Sequence, residues 1–224
     1  RSATSFAEVD WFEQLKRALH MEDLLVKYEE IMDRLDPQKR IAVIFDEWGA
    51  WHEVEPGTNP GFLYQQNSLR DAMVAALTLD IFNRHCGRVK MGNIAQTINV
   101  LQAMILTRGA EIVLTPTYHV FHMYTVHHDA TLLPMELTSR PYRFKGGELP
   151  AAAGSASRDA GGRIHVTLSN IDPASAVEVT ARIEGAKVSA ASGKILTAGT
   201  ITAINTFEDP VAVAAALDRG AAAP

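Results

Sequence analysis

Residues able to do chemistry gather in one string, Asp46-Glu47-Trp48-Gly49-Ala50-Trp51, directly after the apolar run Arg40-Ile41-Ala42-Val43-Ile44-Phe45. A carboxylate among tryptophans at the end of an apolar strand suits a nucleophile or a general base, because desolvation adjusts its proton affinity. Position alone equally allows Asp46 and Glu47 to cap the next element. The tryptophans favour a site, since an indole on a loop either packs or stacks on a ligand, and sugar rings offer C–H faces for stacking. A second strand end, Met91-Gly92-Asn93, is followed by Ala95-Gln96. Amides there could position hydroxyl groups, although position alone favours a helix cap at Asn93 and a solvated Gln96.

Other chemistries find less support. Among the eight histidines, His119 and His122 stand one helical turn apart and His127-His128 follow. No paired cysteines, no His-Glu-x-x-His string and no suitably spaced carboxylate complete a site, so neither a metal nor another cofactor is expected. Cys86, the single cysteine, reads as structural. Gly146-Gly147 and Gly161-Gly162 do not precede a helix, which leaves nucleotide binding unsupported. Met73, Met91, Met104 and Met123 read as core.

These groups must be held by elements that the hydrophobic pattern outlines. Helical spacing over Ala7–Leu35 gives one long helix or two joined near Met21, stopped at Asp36-Pro37. The run 40–45 reads as a strand buried on both faces. A loop follows over Gly49–Gln66, then a helix over Ser68–Arg84 with Asn67 or Ser68 as N-cap. A strand over Arg88–Asn93 leads into an apolar helical segment, Ile94–Leu106, and Thr115-Pro116 opens a helix to about His127. This α-β-α-β-α order argues for parallel strands with crossover helices.

Beyond Asp129 the texture is that of a small antiparallel β-sandwich. Short segments cover Leu132–Phe144, Ser155–Arg158, Arg163–Asn170, Ala176–Ile183, Lys187–Leu196 and Thr200–Phe207, and 164–169 alternates with period two. The alanine-rich tail from Ala212 is expected to fray.

With 224 residues, 47% hydrophobic and 21% charged, the chain has globular composition. A net charge of −5 without a basic block argues against a nucleic-acid partner. No apolar run reaches bilayer-spanning length and Arg1–Asp10 lacks a signal-peptide core, so a cytoplasmic chain without a membrane partner is expected.

Four strings in order carry a more specific likeness: Ile44–Trp51, Tyr64–Ala72, Asn93–Gln102 and Leu114–Phe121. Together with Asn205-Thr206-Phe207-Glu208, they resemble the C-terminal half of α-L-arabinofuranosidases of glycoside hydrolase family 51. The resemblance implies a fold class of α/β plus all-β. Residues 1–132 would form the C-terminal units of a (β/α)8 TIM barrel, with strands seven and eight, and residues 133–224 an antiparallel jelly-roll β-sandwich. It implies retaining hydrolysis of terminal non-reducing α-L-arabinofuranosyl residues, with Glu47 as nucleophile, Trp51 shaping the sugar subsite and Gln96 binding the sugar, against the positional reading of Gln96. Many relatives carry asparagine where this chain has Gly49, so a contact from that side chain is lost.

The family's acid/base is the glutamate of an Asn-Glu string on the fourth strand, and no Asn-Glu dipeptide occurs here. A complete barrel also takes roughly 250 residues. The expected partners are therefore an arabinofuranosyl-containing carbohydrate and the N-terminal barrel portion of the same enzyme as a separate chain, in a homo-oligomer of the full enzyme. The isolated chain is expected to be inactive. The alternative is a non-catalytic carbohydrate-binding or structural module, but Tyr142, Phe144 and Phe207 are too scattered to form a binding platform.

Overall fold

A computed structural model describes residues 1–186 and 188–218. A single helix, α1 (Glu8–Leu35), starts where the Asp10 carboxylate accepts the Ala7 N–H and stops at Asp36. It buries Trp11, Phe12, Leu15, Ala18 and Leu25 along one stripe. The chain then enters β1 (Val43–Trp48), crosses through α2 (Leu69–Arg84) and returns as β2 (Val89–Ile94), parallel to β1. Arg88, fully buried, fixes this return. Its guanidinium donates to Asp36 Oδ2 at 2.7 Å, Asp33 Oδ1 at 2.6 Å and the carbonyls of Asp36 and Ile41, tying the end of α1 to both strand starts.

A hairpin follows, β3 (Ile105–Arg108) and β4 (Glu111–Leu114), and then α3 (Pro116–Tyr124), which the Thr115 side chain caps. The expected helix over Ile94–Leu106 is absent. Asn99 and Leu101 adopt φ of 58° and 55°, outside the helical region, and Ile105 to Arg108 pair instead with β4. Leu101, Ala103 and Leu106 are buried one by one from this irregular path. Asn93 consequently has no helix to cap.

The remaining strands are all antiparallel. β5 (Thr131–Leu133), β8 (Ala152–Arg158) and β9 (Ile164–Asn170) form one sheet, while β6 (Pro141–Phe144) and β7 (Gly147–Pro150) form a hairpin that lays Tyr142 and Leu149 on Trp11, Phe12 and Leu15. β10 (Gly193–Leu196) pairs with β11 (Ala215–Asp218), so part of the tail expected to fray is a strand, and residues 219–224 lie outside those described. Lys187, at the start of one expected segment, lies outside them as well. Neither Ala176–Ile183 nor Thr200–Phe207 forms a strand. The latter makes one isolated antiparallel bridge, Ile204 with Ser68, and the Asn205 side chain donates to the carbonyls of Leu114 and Val213 and accepts the Val213 N–H. Among the described residues no sheet closes into a barrel. The architecture is a parallel strand pair on helices followed by small antiparallel sheets.

Two faces depart from expectation. β1 is covered on one side only. Val43, Phe45 and Trp48 pack on α2 and α3, whereas Ile44 and, on β2, Met91 are about half exposed, so Met91 is not a core residue here. In β9 the inward face is the polar one. Thr167 hydrogen-bonds Asp80 of α2, and Val166 and Leu168 stand outward.

Candidate active site

The ends of β1 and β2 bring the expected residues into one region. Phe45 pairs with Gly92 and Trp48 with Ile94, so β1 advances three residues while β2 advances two. The extra residue is a bulge containing Asp46 and Glu47. In an unbulged strand Glu47 would share the face of Phe45 and be driven under the helices. The bulge puts Trp48 there instead, with its ring 5.9 Å from Phe121 and 5.5 Å from Phe82, and leaves both carboxylates exposed. Trp48 is therefore a core residue, and the solvent-facing indole is Trp51, which is 68% exposed.

Gly92 permits this packing. A Cβ at that position would stand 2.6 Å from the Phe82 ring, which is itself stacked on Phe45. At Gly49 the backbone has φ of 134°, a conformation that disfavours any side chain, and a Cβ would meet Gln102 Oε1 at 3.1 Å. Glycine is suited to this turn.

Trp51 makes its exposed stand on an anchored loop. Gln102 Oε1 accepts the Ala50 N–H at 2.7 Å, and its Nε2 donates to the Asp71 carbonyl and to Thr117 Oγ1. Gln65 accepts the His52 N–H and donates to the His52 carbonyl, both at 2.8 Å. The His52 ring meets Asp71 Oδ1 at 2.8 Å, while Asp71 Oδ2 accepts the Ser68 N–H at the start of α2. Gln65, Gln102, His52 and Asp71 are all buried. Residues 50 and 52 are thus fixed from both sides, which orients the indole between them. Sequence reasoning passed over these four residues. The available signal was an amide inside an apolar run, as in Val100-Leu101-Gln102-Ala103, because a buried amide must be satisfied by hydrogen bonds.

Gln96 is exposed beside the same strand end: the Ala95 N–H donates to the Trp48 carbonyl at 2.8 Å, placing residues 95–96 against the end of β1. Asn93 is exposed on β2. The histidines singled out by the sequence, which do not include His52, lie on and after α3. His127 accepts or donates at Nδ1 with Ser157 Oγ at 2.7 Å, and burial, with His165 and His128 nearby, lowers its pKa to about 4. Cys86 is exposed just after α2. Among the described residues no group of three or more His, Cys, Asp or Glu side chains is arranged to hold a metal ion.

The arrangement offers an ionisable carboxylate, an exposed aromatic face and an amide at the C-terminal ends of two parallel strands, where parallel α/β folds gather reactive groups. Comparison with known proteins agrees in direction. A family model described as the alpha-L-arabinofuranosidase C-terminal domain matches residues 46–223. An intracellular exo-alpha-L-arabinofuranosidase of Bacteroides ovatus is 49% identical over 210 residues, covering 93% of this chain and 41% of that protein. The crystal structure of a GH51 arabinofuranosidase from Xanthomonas axonopodis pv. citri matches with a TM-score of 0.96 at 49% identity, covering 98% of this chain and 44% of that one. An alpha-L-arabinofuranosidase from Thermotoga maritima, in an arabinose complex, shares the fold at a TM-score of 0.75 and 21% identity, covering 93% of this chain and 45% of that one. The chain spans about two fifths of the length of these relatives.

Proposed function

From the premise that this chain belongs to the α-L-arabinofuranosidase C-terminal domain family and corresponds to the C-terminal half of a GH51 enzyme, we propose that Glu47 is the nucleophile of a retaining glycosidase. The observation that carries the reading is the bulge at Asp46-Glu47, which turns a carboxylate out of the helix-covered face, at the strand end from which the Trp51 loop leaves and against which Ala95, next to Gln96, is bonded. In the first step Glu47 attacks the anomeric carbon of a terminal non-reducing α-L-arabinofuranosyl residue as the leaving oxygen takes a proton. In the second, water hydrolyses the glycosyl-enzyme ester with the same anomeric configuration restored. Trp51 stacks on the sugar and Gln96 hydrogen-bonds it.

Retaining chemistry requires a second carboxyl group about 5 to 5.5 Å from the nucleophile. We assign that acid/base to an N-terminal barrel portion of the enzyme, which also covers the open face of Ile44 and Met91. The division of this chain into barrel-derived residues 1–132 and sandwich residues 133–224 belongs to the same proposal. So do a homo-oligomeric full enzyme and a cytoplasmic location. The location is supported by the intracellular Bacteroides ovatus relative, and no described helix is long and apolar enough to cross a membrane.

Glu47→Ala in the assembled enzyme tests the assignment. Turnover of 4-nitrophenyl α-L-arabinofuranoside is expected to fall by orders of magnitude with the circular dichroism spectrum unchanged, and activity within a few-fold of the parent would overturn it. The 224-residue chain alone is expected to release no nitrophenol.

A further inference from the structure

Beside Gln96 the chain forms an open-sided cleft of about 740 Å³, within the range of small-molecule sites. Its walls are the 58–64 loop, the irregular segment after β2 and the β3–β4 hairpin, held together where the Leu101 N–H donates to the Leu63 carbonyl at 3.0 Å. Three rings line it. Phe62 is 69% exposed, while Tyr64 and Phe207 rest on the buried cluster of Ala103, Leu106 and Val113. Between them stand amides and hydroxyls. Asn99 is locked by a two-way hydrogen bond with Thr107, donating to Oγ1 at 2.7 Å and accepting the N–H at 2.8 Å.

The charge balance narrows the ligand. Arg108, the cation of the lining, is neutralised by Glu111 at 2.8 Å and Glu208 at 2.9 Å, and its guanidinium lies 4.3 Å over the Phe207 ring. An anion would find no free positive charge in this lining. Aromatic faces interleaved with amides and hydroxyls suit a neutral polyol, whose C–H faces stack while its hydroxyls pair. Gln96 lines this cleft, and the residue before it, Ala95, donates its N–H to the Trp48 carbonyl at the end of β1, so one end of the cleft lies next to the strand end that carries Glu47.

We propose that this cleft is a subsite for the neutral pentosyl chain on the leaving-group side of the scissile bond, with Phe62 as its stacking platform. The proposal rests on the assignment of the centre to Glu47. Its chemistry is shared by an arabinosyl chain and by an arabinose-substituted xylosyl chain, and the substrates of the test separate the two.

In the assembled enzyme, kcat/KM is measured on 4-nitrophenyl α-L-arabinofuranoside, on arabinotriose and on arabinofuranosyl-xylotriose. Phe62→Ala is expected to lower the ratio of oligosaccharide to nitrophenyl kcat/KM by about tenfold, and Phe62→Tyr, which keeps the ring face, to restore it. A fall with arabinotriose identifies the arabinosyl chain, and a fall confined to arabinofuranosyl-xylotriose the xylosyl one. A ratio within twofold of the parent for both oligosaccharides overturns the proposal. Failure of the Glu47 assignment is distinguishable, because it appears as turnover of the nitrophenyl substrate by Glu47→Ala, a readout independent of the Phe62 ratio.

Discussion

Asp80 lies on α2 where the helix meets the β8–β9 sheet, and its side chain is fully buried. Oδ1 accepts from Ser155 Oγ at 2.7 Å and Thr167 Oγ1 at 2.6 Å. Oδ2 has no partner, the neighbouring Tyr124 hydroxyl donating instead to the Ala76 carbonyl at 3.1 Å. Burial raises the carboxyl pKa to about 6, against the partial opposition of the Thr167 and Ser155 hydroxyls. A rise from 3.8 to about 6 corresponds to about 3 kcal/mol at 1.36 kcal/mol per unit. The sign follows from linkage. The folded state prefers the protonated acid, so this stability is fully present below the unfolded pKa of 3.8 and is lost as pH rises through about 6. Asp80→Asn keeps the acceptor for both hydroxyls and removes the charge. Urea unfolding of the assembled enzyme at pH 4, 6 and 8 is expected to give variant and parent equal stability at pH 4, with the variant ahead by roughly 2 to 3 kcal/mol at pH 8. A variant that is less stable at pH 8, or a difference that does not change with pH, would refute the claim that an ionised carboxylate is buried at a cost between helix and sheet.

Other outcomes follow from the same structure. His127→Gln is expected to flatten the loss of stability on acidification, because the depressed imidazole contributes stability above pH 6.5 that is lost as pH falls toward about 4, measurable by urea unfolding at both ends. Gly92→Ala drives a methyl into the Phe82 ring and should cost about 1 to 3 kcal/mol, read as a lower Tm. Gln102→Ala orphans the Ala50 N–H, a loss of about 1 to 3 kcal/mol for a group left buried and unpaired. By freeing the loop under Trp51, the same change should also raise KM for the nitrophenyl arabinofuranoside.

The amphipathic stripe of α1, the apolar run of β1 and the Ser68 start of α2 were legible in the chain order, because each rests on local periodicity or a capping residue. So were the residues with chemical potential: Glu47, Trp51 and Gln96 stand in strings whose composition and order are distinctive without any coordinate. The segment after β2 was not legible. Its apolar residues mimic a helical stripe, but they are buried singly from a backbone that turns through left-handed conformations at Asn99 and Leu101, and its extended end at Ile105 is stabilised by pairing with β4. Which face of β9 turns inward was equally hidden, because the buried carboxylate of Asp80, supplied by a helix some 87 residues away, draws in Thr167 and leaves Val166 outside.

By itself the sequence determined which side chains could carry chemistry and which family they resemble, since those properties lie in residue identity and order. The tertiary structure decided which of them are usable. One extra residue in β1 between Phe45 and Trp48 sends Trp48 into the core and Glu47 into the open, and four buried polar groups far apart in the chain hold the loop on which Trp51 stands. Those outcomes depend on strand register and on hydrogen bonds closed between distant segments, which no local pattern encodes.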